Sequence, residues 1–114
     1  VKAPGAGAAS YSCAKAGLTQ LCRVAALELA PAGVRCNIVH PDAVFDTKIW
    51  TPEVLARSAE RYGITVEEYK ARNLLKTEIK SRDVGEMVSA MASPLFSKTT
   101  GAQIPVDGGN DRVL

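Results

Sequence analysis

Histidine is almost absent from this 114-residue chain, and His40 is the only one. A lone histidine gives little support to a zinc site or a Ser-His-Asp triad, so no metal is expected. Cysteine is sparse as well. Cys13, Cys22 and Cys36 are odd in number and lack C-x-x-C spacing, so they read as reduced structural thiols of a cytoplasmic protein. Neither sign of charge is in excess: 14 basic residues face 12 acidic ones, for a net charge of +2. That balance argues for neither a nucleic-acid nor a membrane-surface partner. No apolar run approaches the roughly 20 residues of a bilayer span. The start, Val1-Lys2-Ala3-Pro4-Gly5, has neither a signal-peptide pattern nor an initiator methionine, and reads as a cut start.

What is present is an ordinary globular composition, 46% hydrophobic and 23% charged, sized for one small domain. Residues 3–9 read as a loop. A helix is expected from Ser10 to about Ala30, with Leu18, Leu21, Cys22, Ala25 and Leu29 as one apolar stripe and Val24 and Leu27 widening it to a second side. Pro31 and Gly33 end it. Val34 to Val39 read as a short buried strand stopped by Pro41. Helix followed by strand suggests a parallel sheet.

Thr51-Pro52-Glu53 predicts a helix start, with a run to about Tyr62 and a stop at Gly63. Thr65 and Glu68 predict a capping box for a helix reaching about Leu75. Ser81 is expected to cap a third helix carrying Val84, Met87, Val88 and Met91 on one face, limited by Pro94. Gly101 to Asp107 read as a short strand, and Pro105 suggests an edge position. Two strands do not make a stable α/β domain alone, so further strands are expected from outside the chain.

Tyr11 and Lys15 have Y-x-x-x-K spacing, which puts both side chains on one helix face. An ammonium beside a phenol favours the phenolate, and such a tyrosine can take the proton of an alcohol while hydride leaves its carbon. The spacing alone also fits a plain surface pair. The surrounding residues narrow the choice. Tyr11-Ser12-Cys13-Ala14-Lys15-Ala16-Gly17-Leu18 resembles the active-site helix of the short-chain dehydrogenase/reductase family. Leu27-Glu28-Leu29-Ala30 and Gly33-Val34-Arg35-Cys36-Asn37-Ile38-Val39-His40-Pro41 resemble that family's next segment. Thr100-Gly101 and Val106-Asp107-Gly108-Gly109 resemble its carboxy-terminal motif.

The resemblance implies an α/β fold: the C-terminal portion of a Rossmann-like doubly wound parallel sheet, with residues 46–79 as a helical substrate-loop excursion. Residues 1–114 would then be the C-terminal part of one dehydrogenase domain, with the nucleotide-binding N-terminal half absent. Gly5-Ala6-Gly7 is not that half's phosphate loop, because it follows no strand and leads straight into the catalytic helix. The resemblance also implies roles. Tyr11 would be the general base or acid, and Lys15 would hold the nicotinamide ribose. Pro41, Asp42 and Val44 would pass along the nicotinamide, with a backbone group of Val44 meeting the carboxamide. Thr47 would sit near the cofactor amide or pyrophosphate. Two departures stand out: Asp42 occupies the family's usual glycine after the proline, and Thr47 lies one place beyond the P-G-x-x-x-T spacing.

The phrases Trp50-Thr51-Pro52-Glu53, Thr65-Val66-Glu67-Glu68-Tyr69-Lys70, Asn73-Leu74-Leu75-Lys76 and Lys98-Thr99-Thr100-Gly101-Ala102-Gln103-Ile104-Pro105 resemble the dehydrogenase portion of bifunctional rhamnulose-1-phosphate aldolase/short-chain dehydrogenase proteins. That likeness implies a place in rhamnose catabolism, with NAD-linked oxidation of lactaldehyde. Sugar-phosphate and polyol dehydrogenases are competitors. NAD is favoured over NADP, and the expected partners are a small-molecule substrate and either a homo-oligomer or the missing N-terminal half. The alternative is a non-catalytic chain that serves only as a packing or oligomerisation half. Arg57, Arg61, Lys70, Arg72 and Lys76 read first as solvated helix faces and second as substrate contacts. Trp50 reads as a lid or packing residue, Glu28 as a subunit-contact or solvent position, and Met87 and Met91 as core.

Overall fold

A computed structural model describes residues 6–110. The elements in chain order are α1 (Ala9–Leu29), a short 3-10 turn (Ala30–Ala32), β1 (Ile38–Pro41), α2 (Pro52–Arg61), α3 (Val66–Lys70), α4 (Ser81–Met91), a second 3-10 turn (Pro94–Phe96) and β2 (Gln103–Val106). Residues 3–5 of the expected first loop lie outside the described residues. The chain divides into two compact units: the chain up to Val39 with Ser89–Ile104, and His40–Val88 with the chain from Pro105.

β1 and β2 form a two-stranded sheet. Ile38 N–H donates to Ala102 O and Asp42 N–H to Val106 O, so the register advances equally on both strands and the pairing is parallel, as expected. The strand expected at 34–39 begins later. Val34 N–H returns to Leu29 O, where Gly33 at φ 74 closes the helix end. Asn37 then takes up both ladder directions with its side chain, donating to Thr99 O and accepting from Ala102 N–H, each at 2.9 Å. Regular pairing therefore starts only at Ile38. Pro41 belongs to β1 instead of stopping it. Ile38 and Asp42 present their N–H groups to β2, so by alternation Pro41's missing donor faces the other side. Pro105 likewise faces away from β1, because Val106 is the residue that accepts from Asp42.

In the first unit, α1 forms from an alanine-rich stretch with few β-branched residues, as its propensity suggests. Only Ala26 on it is buried. Cys22 and Ala25 of the expected stripe are half-buried, but Leu18, Leu21 and Leu27 are 50%, 62% and 77% exposed, because no described residue covers them. Arg35 Nη1 donates to Met91 O at 2.9 Å, and Cys36 N–H to the Thr100 hydroxyl at 3.0 Å.

The second unit contains the core. Phe45, Leu55, Ala59 and Tyr69 are buried together, with Ala43, Trp50, Ile64 and Val66 packed on them. Phe45 meets Trp50 edge-on at 4.8 Å and Tyr69 at 5.3 Å between ring centroids, so Trp50 is a packing residue. The Thr51 hydroxyl accepts from Val54 N–H and caps α2, and the Thr65 hydroxyl accepts from Glu68 N–H and caps α3, both as expected. α3 stops at Lys70, not Leu75. The Asn73 amide closes on Thr77, donating to its O at 2.6 Å and accepting from its N–H at 3.3 Å, while Leu75 N–H donates to Gly108 O. Those bonds divert the chain from the helical path. Ser81 does not cap α4 but is its first residue, and Asp83 reaches back to Lys80 N–H at 2.8 Å. Val84, Met87 and Met91 are half-buried on α4 as expected, whereas Val88 is exposed.

Candidate active site

Tyr11 and Lys15 sit in the first two turns of α1, and both side chains are exposed. The helix places them on one face, with Lys15 Nζ 5.6 Å from the Tyr11 ring centroid. Lys15 has no carboxylate partner among the described residues, which leaves its three N–H donors open to a ligand. A phenol beside an unpaired ammonium can accept or return a proton at the phenol oxygen.

The other expected cofactor residues belong to the second unit. Pro41 ends β1. The Asp42 carboxylate accepts from the Asn110 amide at 2.5 Å, and its N–H donates to Val106 O at 3.4 Å. Sequence reasoning missed Asn110, whose partner lies 68 residues away. Val44 forms an isolated parallel bridge with Ile79. The Thr47 hydroxyl donates to Val44 O at 3.2 Å. Val44 and Thr47 are thus brought together, and Thr47 keeps acceptor lone pairs for an amide donor.

The residue at the family's threonine spacing is Asp46, and it was also missed. Its carboxylate accepts from Ser81 N–H at 2.9 and 3.2 Å and from the Ser81 hydroxyl at 2.8 Å. These bonds cap α4 from 35 residues upstream. They hold the Asp46 carboxyl below its ordinary value of 3.8: the side-chain bond from Ser81 acts most, then its N–H, with Lys80 adding a weaker pull. The sign follows from linkage. A lowered folded value contributes stability that is present above 3.8 and lost as pH falls through the folded value. Thermal midpoints taken from about pH 5 to pH 2 should therefore drop less steeply in Asp46→Asn than in the parent. Equal slopes would contradict the assignment.

Arg72 is exposed, in keeping with a solvated position, and its guanidinium also lies over Tyr62 and Tyr69, 4.4 and 4.5 Å from their centroids. Such contacts are worth about 0.5–1 kcal/mol at an exposed position. Lys70 lies 3.7 Å from Glu78. All three cysteines are free, and Cys13 is exposed. The described residues hold no cluster of potential metal ligands, and none of their helices is long and apolar enough to cross a membrane.

A family model described as Enoyl-(Acyl carrier protein) reductase matches residues 2–111. The uncharacterised oxidoreductase YuxG of Bacillus subtilis is 39% identical over 110 residues, covering 92% of this chain and 16% of that protein. The crystal structure of sorbitol-6-phosphate 2-dehydrogenase from Erwinia amylovora superposes with a TM-score of 0.75 at 29% identity, covering 93% of this chain and 42% of that one. Actinorhodin polyketide ketoreductase, crystallised with NADPH, gives a TM-score of 0.76 at 25% identity, covering 98% and 44%. The chain thus spans less than half the length of each of these relatives. With its α/β architecture and parallel strands, the chain belongs to the short-chain dehydrogenase/reductase family.

Proposed function

We propose that the chain is the catalytic and substrate-covering part of an NAD(P)-linked oxidoreductase acting on a small hydroxy or aldehyde compound. The observation that carries this reading is the Tyr11–Lys15 pair, open on one face of α1. The Tyr11 oxygen takes the proton of a substrate hydroxyl, or returns it to a carbonyl oxygen in the reverse direction. The nicotinamide, when bound, accepts or supplies the hydride. Lys15 would hold the ribose hydroxyls through its open N–H donors. Pro41, Asp42 and Val44 would line the nicotinamide, and Thr47 would accept from its amide.

In this reading residues 1–114 form the C-terminal part of one dehydrogenase domain, residues 46–79 are the substrate loop, and the nucleotide-binding half lies outside the chain. The substrate is proposed as lactaldehyde or a sugar-derived polyol, with NAD as the favoured nucleotide. One likeness supports the polyol choice. The sorbitol-6-phosphate dehydrogenase likeness favours polyhydroxylated substrates. The test is reduced-nucleotide formation by the full-length protein with lactaldehyde, sorbitol 6-phosphate and other polyols, each with NAD and NADP. Turnover of lactaldehyde or a polyol is expected, faster with NAD. No turnover of any of these compounds, or faster turnover with NADP, would contradict the substrate or cofactor choice.

A second reading, a packing or oligomerisation role, has its own support in the exposed leucines of α1. Contiguous apolar surface of that kind calls for cover by a second copy or by more of the same polypeptide.

A further inference from the structure

We infer that Asp46 is a positioning residue that fastens the 41–47 loop in the shape needed to meet the nicotinamide; the inference rests on the dehydrogenase reading above. The loop needs fastening. Ala43 adopts a φ of 55°, a left-handed conformation that a side chain rarely takes and that persists only where its surroundings impose it. Three neighbours impose it. Val44 is bridged in parallel to Ile79, the Phe45 ring is buried in the core, and the Asp46 carboxylate holds Ser81 through its N–H and its hydroxyl.

These ties advance in step. Val44 pairs with Ile79, and two residues later on each segment Asp46 meets Ser81. A side chain thus continues the register of the single backbone bridge, and it anchors the loop to the first turn of α4. Thr47 closes the arrangement by donating to Val44 O. Asp46 therefore sits between the two residues assigned to the cofactor, and loosening it frees both.

A purely structural cap predicts something different. Asp83 also caps α4, through Lys80 N–H at 2.8 Å, but it bonds nothing in the loop. Asp83→Ala is thus a matched control: it weakens the helix start without releasing the loop. In the full-length protein, Asp46→Ala should raise the dissociation constant for NAD or NADP about tenfold, since charge-assisted bonds of this kind carry that much. kcat at saturating cofactor should stay within about twofold, because Asp46 touches no reacting atom. Asp83→Ala should leave cofactor affinity within about twofold. Should Asp46→Ala fail to fold, Ser81→Ala removes the hydroxyl bond alone and should weaken binding about threefold. Equal cofactor affinities in the parent, Asp46→Ala and Ser81→Ala, or equal losses in Asp46→Ala and Asp83→Ala, would overturn the inference. If Tyr11→Phe is inactive while Asp46→Ala binds cofactor normally, only the positioning role falls. If the parent binds neither nucleotide, the role falls together with the dehydrogenase reading.

Discussion

Replacing Tyr11 by phenylalanine in the full-length protein is expected to lower kcat about 100- to 10,000-fold, the span that a positioned acid–base group contributes. The change removes one oxygen and keeps the ring, so the approach of Lys15 to the ring face at 5.6 Å is retained. Cofactor affinity should stay within about twofold, since the ribose is assigned to Lys15. Steady-state kinetics with a parallel cofactor titration separate the two quantities. Unchanged kcat would remove Tyr11 from the chemistry, and a large loss of affinity would make it a binding residue instead.

Alanine at Gly108 is expected to destabilise the fold by about 2–5 kcal/mol, combining backbone strain with overpacking. Gly108 has a φ of 62°, and a Cβ there would lie 2.5 Å from Asn73 Cγ. Asn73 cannot step aside cheaply. It is 4% exposed, and its amide bonds both backbone groups of Thr77. Leu75 N–H also donates to Gly108 O, so moving either strand of this contact breaks a hydrogen bond. Denaturant melts of the parent and Gly108→Ala measure the loss. A midpoint shift smaller than that expected from about 1 kcal/mol would mean the 73–77 turn yields more readily than its bonds suggest.

What was legible in the sequence is what lies within a turn or two of itself. Tyr11 and Lys15 share a face because helix periodicity alone dictates it. Thr51 and Thr65 cap α2 and α3 because an N-cap hydroxyl needs only the next three residues. Where structure and local pattern part, the cause is distant. α3 stops short of Leu75 because the bond that diverts the chain goes to Gly108. Ser81 opens α4 without capping it because the cap, Asp46, arrives from 35 residues away. Regular pairing starts later than Val34 because Asn37 engages Thr99 and Ala102, more than 60 residues downstream. Asp42, a departure from the family pattern, finds its reason in Asn110. Long-range hydrogen bonds thus set the ends of elements whose centres local pattern places.

Position 46 shows what that means for the site. Thr47 looked displaced by one residue when the loop was considered alone. The structure gives the preceding position to an aspartate that ties loop to helix, and leaves Thr47 bonded to Val44. Spacing within the motif could not disclose this, because the partner lies beyond the substrate-loop excursion.

The most direct measurement of the central claim is isotope transfer. Full-length protein is given nicotinamide nucleotide carrying deuterium at the reducing position, together with a carbonyl substrate that the nucleotide assay identifies. The account predicts product labelled on the former carbonyl carbon at parent rates, and almost none in the same time with Tyr11→Phe. Unlabelled product, or equal labelling by the two proteins, would contradict it.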